Sequence, residues 1–325
     1  MRVSSRLPAA ALALGAVAVA LSLALGGCAQ KPTQSTRLVP KTQHLYATLH
    51  SYPSVTVIHD LVYDTVGGKQ LKLNICLPHP SPGIAPVARP AIVSIHGGSW
   101  AYGSKDDPNW QDVCEWLAYS GFVTASLNYG LAPAARFPMG ITEIEHAVEW
   151  LRQPAQDKRF DIDPSLIGAF GGSAGGNLAS LLGTTGSGPR NSGHRVAAVA
   201  ELSGPENLTR NGAEQKDFYR YVLSYLGCPT FTKCTPRRLE DASPLYHVDS
   251  SDPPFFIGHS TDERIPLVQS TSFVKRLRAA GVDVTFVTVK GHEHSIAMLD
   301  LAMRDKIAAF FRAKLVRLPF DVSTP

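Results

Sequence analysis

Hydrophobic and polar positions alternate in two early stretches, residues 54–63 and 70–77, with Val66-Gly67-Gly68 between them. A period of two gives each stretch one buried and one solvated face, and a glycine pair in the gap predicts an antiparallel hairpin. Beyond residue 90 the pattern changes. Short apolar runs at 91–95, 122–127, 166–170, 196–202, 255–258 and 282–289 read as strands buried on both faces. Between them, apolar residues fall at helical spacing: Trp110, Val113, Cys114 and Leu117, with Gly121 as a stop; Ile141, Ile144, Val148 and Leu151; residues 174–182; Phe273, Leu277 and Ala280; and finally Ile307, Phe310 and Phe311.

Strand and helix therefore alternate at short intervals. That predicts an α/β fold with a mostly parallel, doubly wound sheet, helices on both faces, and the N-terminal hairpin as an antiparallel edge. Residues 206–248 break the alternation and read as a small cap-like insertion carrying an amphipathic helix through Phe218, Val222, Tyr225 and Leu226. No internal repeat is present, and residues 51–325 read as one domain.

The first 50 residues follow other rules. Arg2 and Arg6 precede an uncharged run over residues 7–27 that ends in Leu25-Gly26-Gly27-Cys28. Small residues before a cysteine resemble a bacterial lipoprotein signal, in which residues 1–27 are removed and Cys28 carries the lipid. An uncleaved spanning helix and ordinary secretion are the alternatives, and all three export the rest of the chain. Residues 28–50 lack periodicity and read as a tether, about 25 Å long on average for a flexible chain of that length. The expectation is a domain held at a membrane on its extracytoplasmic side.

Composition agrees with a packed globular chain: of 325 residues, 44% are hydrophobic and 18% charged. The net charge of +4 is scattered, with no basic stripe interleaved with aromatics, which argues against a nucleic-acid partner. Export makes disulfides admissible. Cys228 and Cys234 are close enough in sequence to pair cheaply; Cys76 and Cys114 are expected to be buried free thiols, with pairing as the alternative. No cysteine and histidine spacing suggests zinc, and no metal or organic cofactor is implied.

Chemistry concentrates at four places. Gly171-Gly172-Ser173-Ala174-Gly175 follows an apolar strand and opens a helix. A serine hydroxyl needs open presentation to a base, and a sharp strand-to-helix turn supplies it only when small residues flank the serine. His96-Gly97-Gly98-Ser99-Trp100 directly follows the strand at 91–95. Its glycines let backbone N–H groups approach a developing oxyanion, with Gly98, Ser99 and Ala174 as candidate donors. His96 reads as a structural residue shaping that loop; Trp100 lines a substrate pocket or packs in the core. Asp262 follows the strand at 255–258, and His294 follows the last strand, giving the order Ser, Asp, His. Glu263 is the rival acid and His292 the rival base, while His259 reads as structural.

With these residues placed, the chain resembles alkyl ester hydrolases of the α/β-hydrolase fold, nearest to the branch of bifunctional feruloyl and acetyl-xylan esterases. The resemblance rests on His96–Trp100, Asn128-Tyr129, Leu131-Ala132-Pro133, Ala135-Arg136-Phe137-Pro138, residues 172–177, Asp252-Pro253-Pro254, Asp262 with Ile265-Pro266, and Gly291 with His294. It implies a serine carboxylesterase working through an acyl-enzyme on small or carbohydrate-linked esters. An exported peptidase or amidase, or a silent binding module, are the other readings. Ser99 stands where relatives carry a third glycine, and Gly130 where many carry arginine. The insertion is too short for a large lid.

Overall fold

The computed structural model describes residues 49–79, 88–210 and 216–315. The signal-like run, Cys28 and nearly all of the tether lie outside the described residues, and among those described no helix is long and apolar enough to cross a membrane.

Among the described residues eight strands form one sheet: β1 (Thr56–Val66), β2 (Lys69–Leu77), β3 (Arg89–Ile95), β4 (Val123–Leu127), β5 (Ile162–Gly172), β6 (Ala198–Leu202), β7 (Phe255–Ser260) and β8 (Val284–Val289). Their order is β1-β2-β4-β3-β5-β6-β7-β8. β1 pairs antiparallel with β2 and β2 antiparallel with β4; every later pairing is parallel. The expected hairpin and all six expected central strands are present.

The helices are α1 (Pro108–Tyr119), α2 (Met139–Leu151), α3 (Pro154–Phe160), α4 (Ala174–Thr184), α5 (Lys216–Leu226), α6 (Pro236–Asp241), α7 (Val268–Ala279) and α8 (Leu301–Lys314). Neither α3 nor α6 is foreshadowed by hydrophobic spacing: α3 buries Phe160 alone and α6 Leu239 alone. Each begins with proline in its first turn, where a missing N–H costs nothing.

Strand side chains alternate between two cores. Val93, Ala169, Val199 and Ile257 pack on one face with residues of α2, α4 and α7. Ile92, Phe170, Ala200 and Phe256 pack on the other with residues of α1 and α8. Because both faces are covered, the central strands read as continuous apolar runs.

The insertion contains α5 as expected, then α6 and two short 3-10 turns. Cys228 and Cys234 are bonded within it, with Cα atoms 5.4 Å apart. Cys76 and Cys114, expected as free thiols, are instead bonded, with Cα atoms 5.9 Å apart. β2 and α1 meet over a small cluster of Cys76, Cys114 and Ala118, and that packing brings the two sulfurs together across 38 residues of chain.

Candidate active site

Ser173 lies between the end of β5 and the start of α4, at φ 58° and ψ −124°. That backbone is costly for a residue with a Cβ, on the order of 1–3 kcal/mol, and persists only when its surroundings enforce it. Here the flanking residues do so. A Cβ on Gly171 would collide with the Gly175 carbonyl, and one on Gly175 with the Ile95 carbonyl. The Ser173 N–H donates to the Leu202 carbonyl at 2.8 Å, tying the turn to the end of β6.

The base arrives from the far edge of the sheet. His294 follows β8, and its Nε2 lies 2.8 Å from Ser173 Oγ. Ser295 anchors the loop, its N–H donating to Ser203 Oγ at 2.9 Å. With the hydroxyl donating to Nε2, the imidazole is the Nδ1–H tautomer, and that N–H donates to Glu263 Oε2.

The carboxylate that meets this imidazole is therefore that of Glu263 and not of the expected Asp262. The N–H groups of Thr261 and Asp262 donate to the carbonyls of Val289 and Gly291, so the turn after β7 still runs alongside the β8 loop. This sends Asp262 outward, where its carboxylate meets His292 Nδ1 at 3.2 Å with both side chains more than three-quarters exposed. Glu263 is the next residue and turns inward. Its side chain is fully buried, and its second oxygen lies 3.1 Å from Nε2 of the buried His259. His292, the rival base, is the exposed partner of Asp262. His259, as expected, is structural: it is bracketed by the Ile265 carbonyl at 2.9 Å and Ser270 Oγ at 2.7 Å.

Burial lowers the pKa of His294, and the Glu263 carboxylate beside it opposes that effect. The result is an imidazole neutral at pH 7 and free to accept the serine proton. Burial drives His96 down to about 4. It stacks on Tyr129 with centroids 4.5 Å apart, its Nδ1–H donates to the Gly97 carbonyl at 2.7 Å, and the Tyr129 hydroxyl donates to the His96 carbonyl at 2.9 Å. These contacts hold the loop after β3 in shape.

That loop passes directly beneath the nucleophile. A Cβ on Gly97 would lie 2.8 Å from the Gly172 carbonyl and 3.4 Å from Ser173 Cβ. Gly97 and Gly98 line a cleft of about 380 Å³ together with Ser173 and His294. Ser99 and Trp100 both adopt positive φ, 53° and 56°. Ser99 is not among the cleft-lining residues, and Ala174 is buried at the first position of α4.

Trp100 does not line the cleft. It is 1% exposed and stacks on Tyr225 of α5, with centroids 4.6 Å apart and planes 6° apart. Its left-handed backbone turns the ring under the insertion, so it is the core contact that seats α5. Tyr102, Trp110, Arg264 and Ile296 also line the cleft. None of them stands in a motif that marks it; each reaches the wall through the fold. Among the described residues no group of three or more His, Cys, Asp or Glu is placed to hold a metal ion.

Comparison with known proteins adds kinship to geometry. The sequence profile of the family described as BD-FAE matches residues 74–277. The esterase LipC of Mycobacterium tuberculosis is 32% identical over 221 residues, covering 65% of this chain and 54% of LipC. The chain thus spans about half the length of that relative. A truncated carbohydrate esterase from gut microbiota superposes with a TM-score of 0.68 at 23% identity, over 81% of this chain and 97% of that one. An acetyl ester-xyloside bifunctional hydrolase from Caldicellulosiruptor lactoaceticus gives 0.62 at 23%, over 75% and 88%. The fold they share with this chain is the α/β-hydrolase fold.

Proposed function

This chain belongs to the BD-FAE family, and from that premise we propose that it is a serine carboxylic-ester hydrolase. The observation that carries the proposal is the relay of Ser173 Oγ and His294, which both line the cleft, with the buried Glu263 behind the imidazole. Ser173 attacks the ester carbonyl while His294 takes its proton. The tetrahedral oxyanion is met by the backbone N–H of Gly98, which lines the cleft, and that of Ala174, which follows the nucleophile at the start of α4. Collapse expels the alcohol, protonated by His294, and leaves an acyl-enzyme. Water then enters, gives its proton to His294, and releases the acid. Glu263 keeps the imidazole in the Nδ1–H tautomer and steadies the imidazolium.

The substrates in this reading are small or carbohydrate-linked esters. The cleft is compact and the insertion is short. A structural neighbour is named an acetyl ester-xyloside hydrolase. The sequence motif at Cys28 supports a lipid-anchored protein on the extracytoplasmic side of a membrane. A p-nitrophenyl ester series from acetate to palmitate, run on wild type and Ser173→Ala, tests the hydrolase reading. Turnover of the short esters, lost in the variant, is the expected result; full activity in Ser173→Ala overturns it.

A further inference from the structure

Two imidazoles flank the Glu263 carboxylate. Oε2 meets Nδ1 of His294, and Oε1 lies 3.1 Å from Nε2 of His259. The Glu263 side chain is fully buried, and among the described residues Oε1 accepts no hydrogen bond. A buried carboxylate oxygen without a donor is costly, so the nearest N–H edge weighs heavily on where the group settles.

The tautomer of His259 is fixed by its other two neighbours. Nε2 lies 2.9 Å from the Ile265 carbonyl, which can only accept, so Nε2 carries the proton. Nδ1 is then a bare acceptor, and Ser270 Oγ of α7 donates to it at 2.7 Å. Both His259 and Ser270 are fully buried. The N–H edge that satisfies Ile265 thus also faces Glu263 Oε1. Ile265 is two residues beyond Glu263, so the same ring grips the backbone of the turn that carries the acid. Glu201, also buried, lies near enough to repel the Glu263 carboxylate. The N–H edges of His259 and His294 oppose that repulsion.

We propose that His259 is a positioning residue for the hydrolysis: locked as the Nε2–H tautomer by Ser270, its ring edge holds Glu263 so that Oε2 faces His294. The series runs Ser270, His259, Glu263, His294, Ser173, and a proton moves only between the last two. His259 touches no reacting atom and acts through the acid alone. The proposal rests on the ester-hydrolase reading of Ser173 and extends its positioning chain two residues beyond Glu263.

The test measures kcat and KM on p-nitrophenyl butyrate, with urea unfolding of each variant alongside. It compares wild type with His259→Phe, which keeps a ring without an N–H, His259→Gln, which keeps a donor and an acceptor, and Ser270→Ala. It adds Glu263→Ala and the double variant His259→Phe/Glu263→Ala. His259→Phe is expected to lower kcat about tenfold with KM within about threefold of wild type, and His259→Gln to recover most of that loss. In the Glu263→Ala background the His259→Phe change is expected to cost less than about twofold, because no carboxylate is left to position. Ser270→Ala is expected to lower kcat about threefold. A kcat unchanged in His259→Phe, or lowered by the same factor with and without Glu263, overturns the positioning role. A residue needed only for folding would shift the urea midpoint without that coupling. If His259→Phe does not fold, Ser270→Ala carries the test, and an unchanged kcat there overturns the role. Turnover that survives intact in Ser173→Ala overturns the hydrolase reading instead.

Discussion

Asp262 and Glu263 are neighbours that the turn after β7 sends in opposite directions, one to solvent with His292 and one into the site with His294. An orienting carboxylate that fixes the tautomer of a catalytic imidazole supports rates by up to about 10⁴-fold. Glu263→Gln is therefore expected to lower kcat by a factor on the order of 10²–10⁴, and Asp262→Asn by less than about threefold, as measured on p-nitrophenyl butyrate. Reversal of that ranking would restore Asp262 as the acid. The buried imidazole sets the acid limb of the profile. His294 must be neutral to act, and its pKa lies below the ordinary 6.5. kcat/KM should accordingly rise with pH to a plateau, with its midpoint below 6.5; a midpoint well above that value would contradict the geometry. The meeting of Ser173 with His294 and the structural places of His96 and His259 were legible from motif and position. The acid was legible only as one of two adjacent carboxylates, because the choice depends on which way a single turn faces.

α1 and β2 show what a disulfide adds to elements that already pack. By loop-closure entropy, a bridge spanning 38 residues stabilises by about 4 kcal/mol, against about 2 kcal/mol for the six-residue bridge in the insertion. The double variant Cys76→Ser/Cys114→Ser should lose more stability in urea unfolding than Cys228→Ser/Cys234→Ser; the opposite order would show that the long bridge is not formed. α5 is held differently, by Trp100 stacked on Tyr225. Trp100→Ala leaves a large buried void, so a loss of about 3–5 kcal/mol is expected. Strong hydrophobic periods made all eight strands and six of the helices readable. α3 and α6 were hidden because a helix that buries one apolar side chain has no period to detect, and the pairing of Cys76 with Cys114 depended on tertiary packing that spacing alone does not carry.

Three buried glutamates gather on the underside of the catalytic apparatus, which is a property of the whole sheet and not of any one element. Glu201 lies near the end of β6 and accepts from the Gly204 N–H at 2.6 Å; Glu206 accepts from Ser180 Oγ at 3.1 Å; and Glu263 lies near enough to repel Glu201. Burial, reinforced by that repulsion, pushes Glu201 up to about 8, and burial with the neighbouring Glu201 raises Glu206 well above the carboxylate range. The folded state thus holds protons that the unfolded chain gives up near pH 4.5. Their stabilising contribution is complete below that pH and is lost as pH climbs through about 8. The urea midpoint of wild type should fall from pH 6 to pH 9, and Glu201→Gln/Glu206→Gln should flatten that fall; an identical slope in both would contradict the assignment. The parallel sheet with its antiparallel edge was legible because short runs buried on both faces leave few other architectures. The convergence of distant loops on one cleft was not, since it appears only once the strands are ordered.

The account turns on Ser173 being the one activated nucleophile. Reaction with a fluorophosphonate ester, followed by mass spectrometry of the intact protein and its peptides, reads this directly. A single adduct on the peptide containing Ser173, absent in Ser173→Ala and strongly slowed in His294→Ala, is the predicted result. A label on another residue, or no label in a preparation that hydrolyses esters, would contradict it.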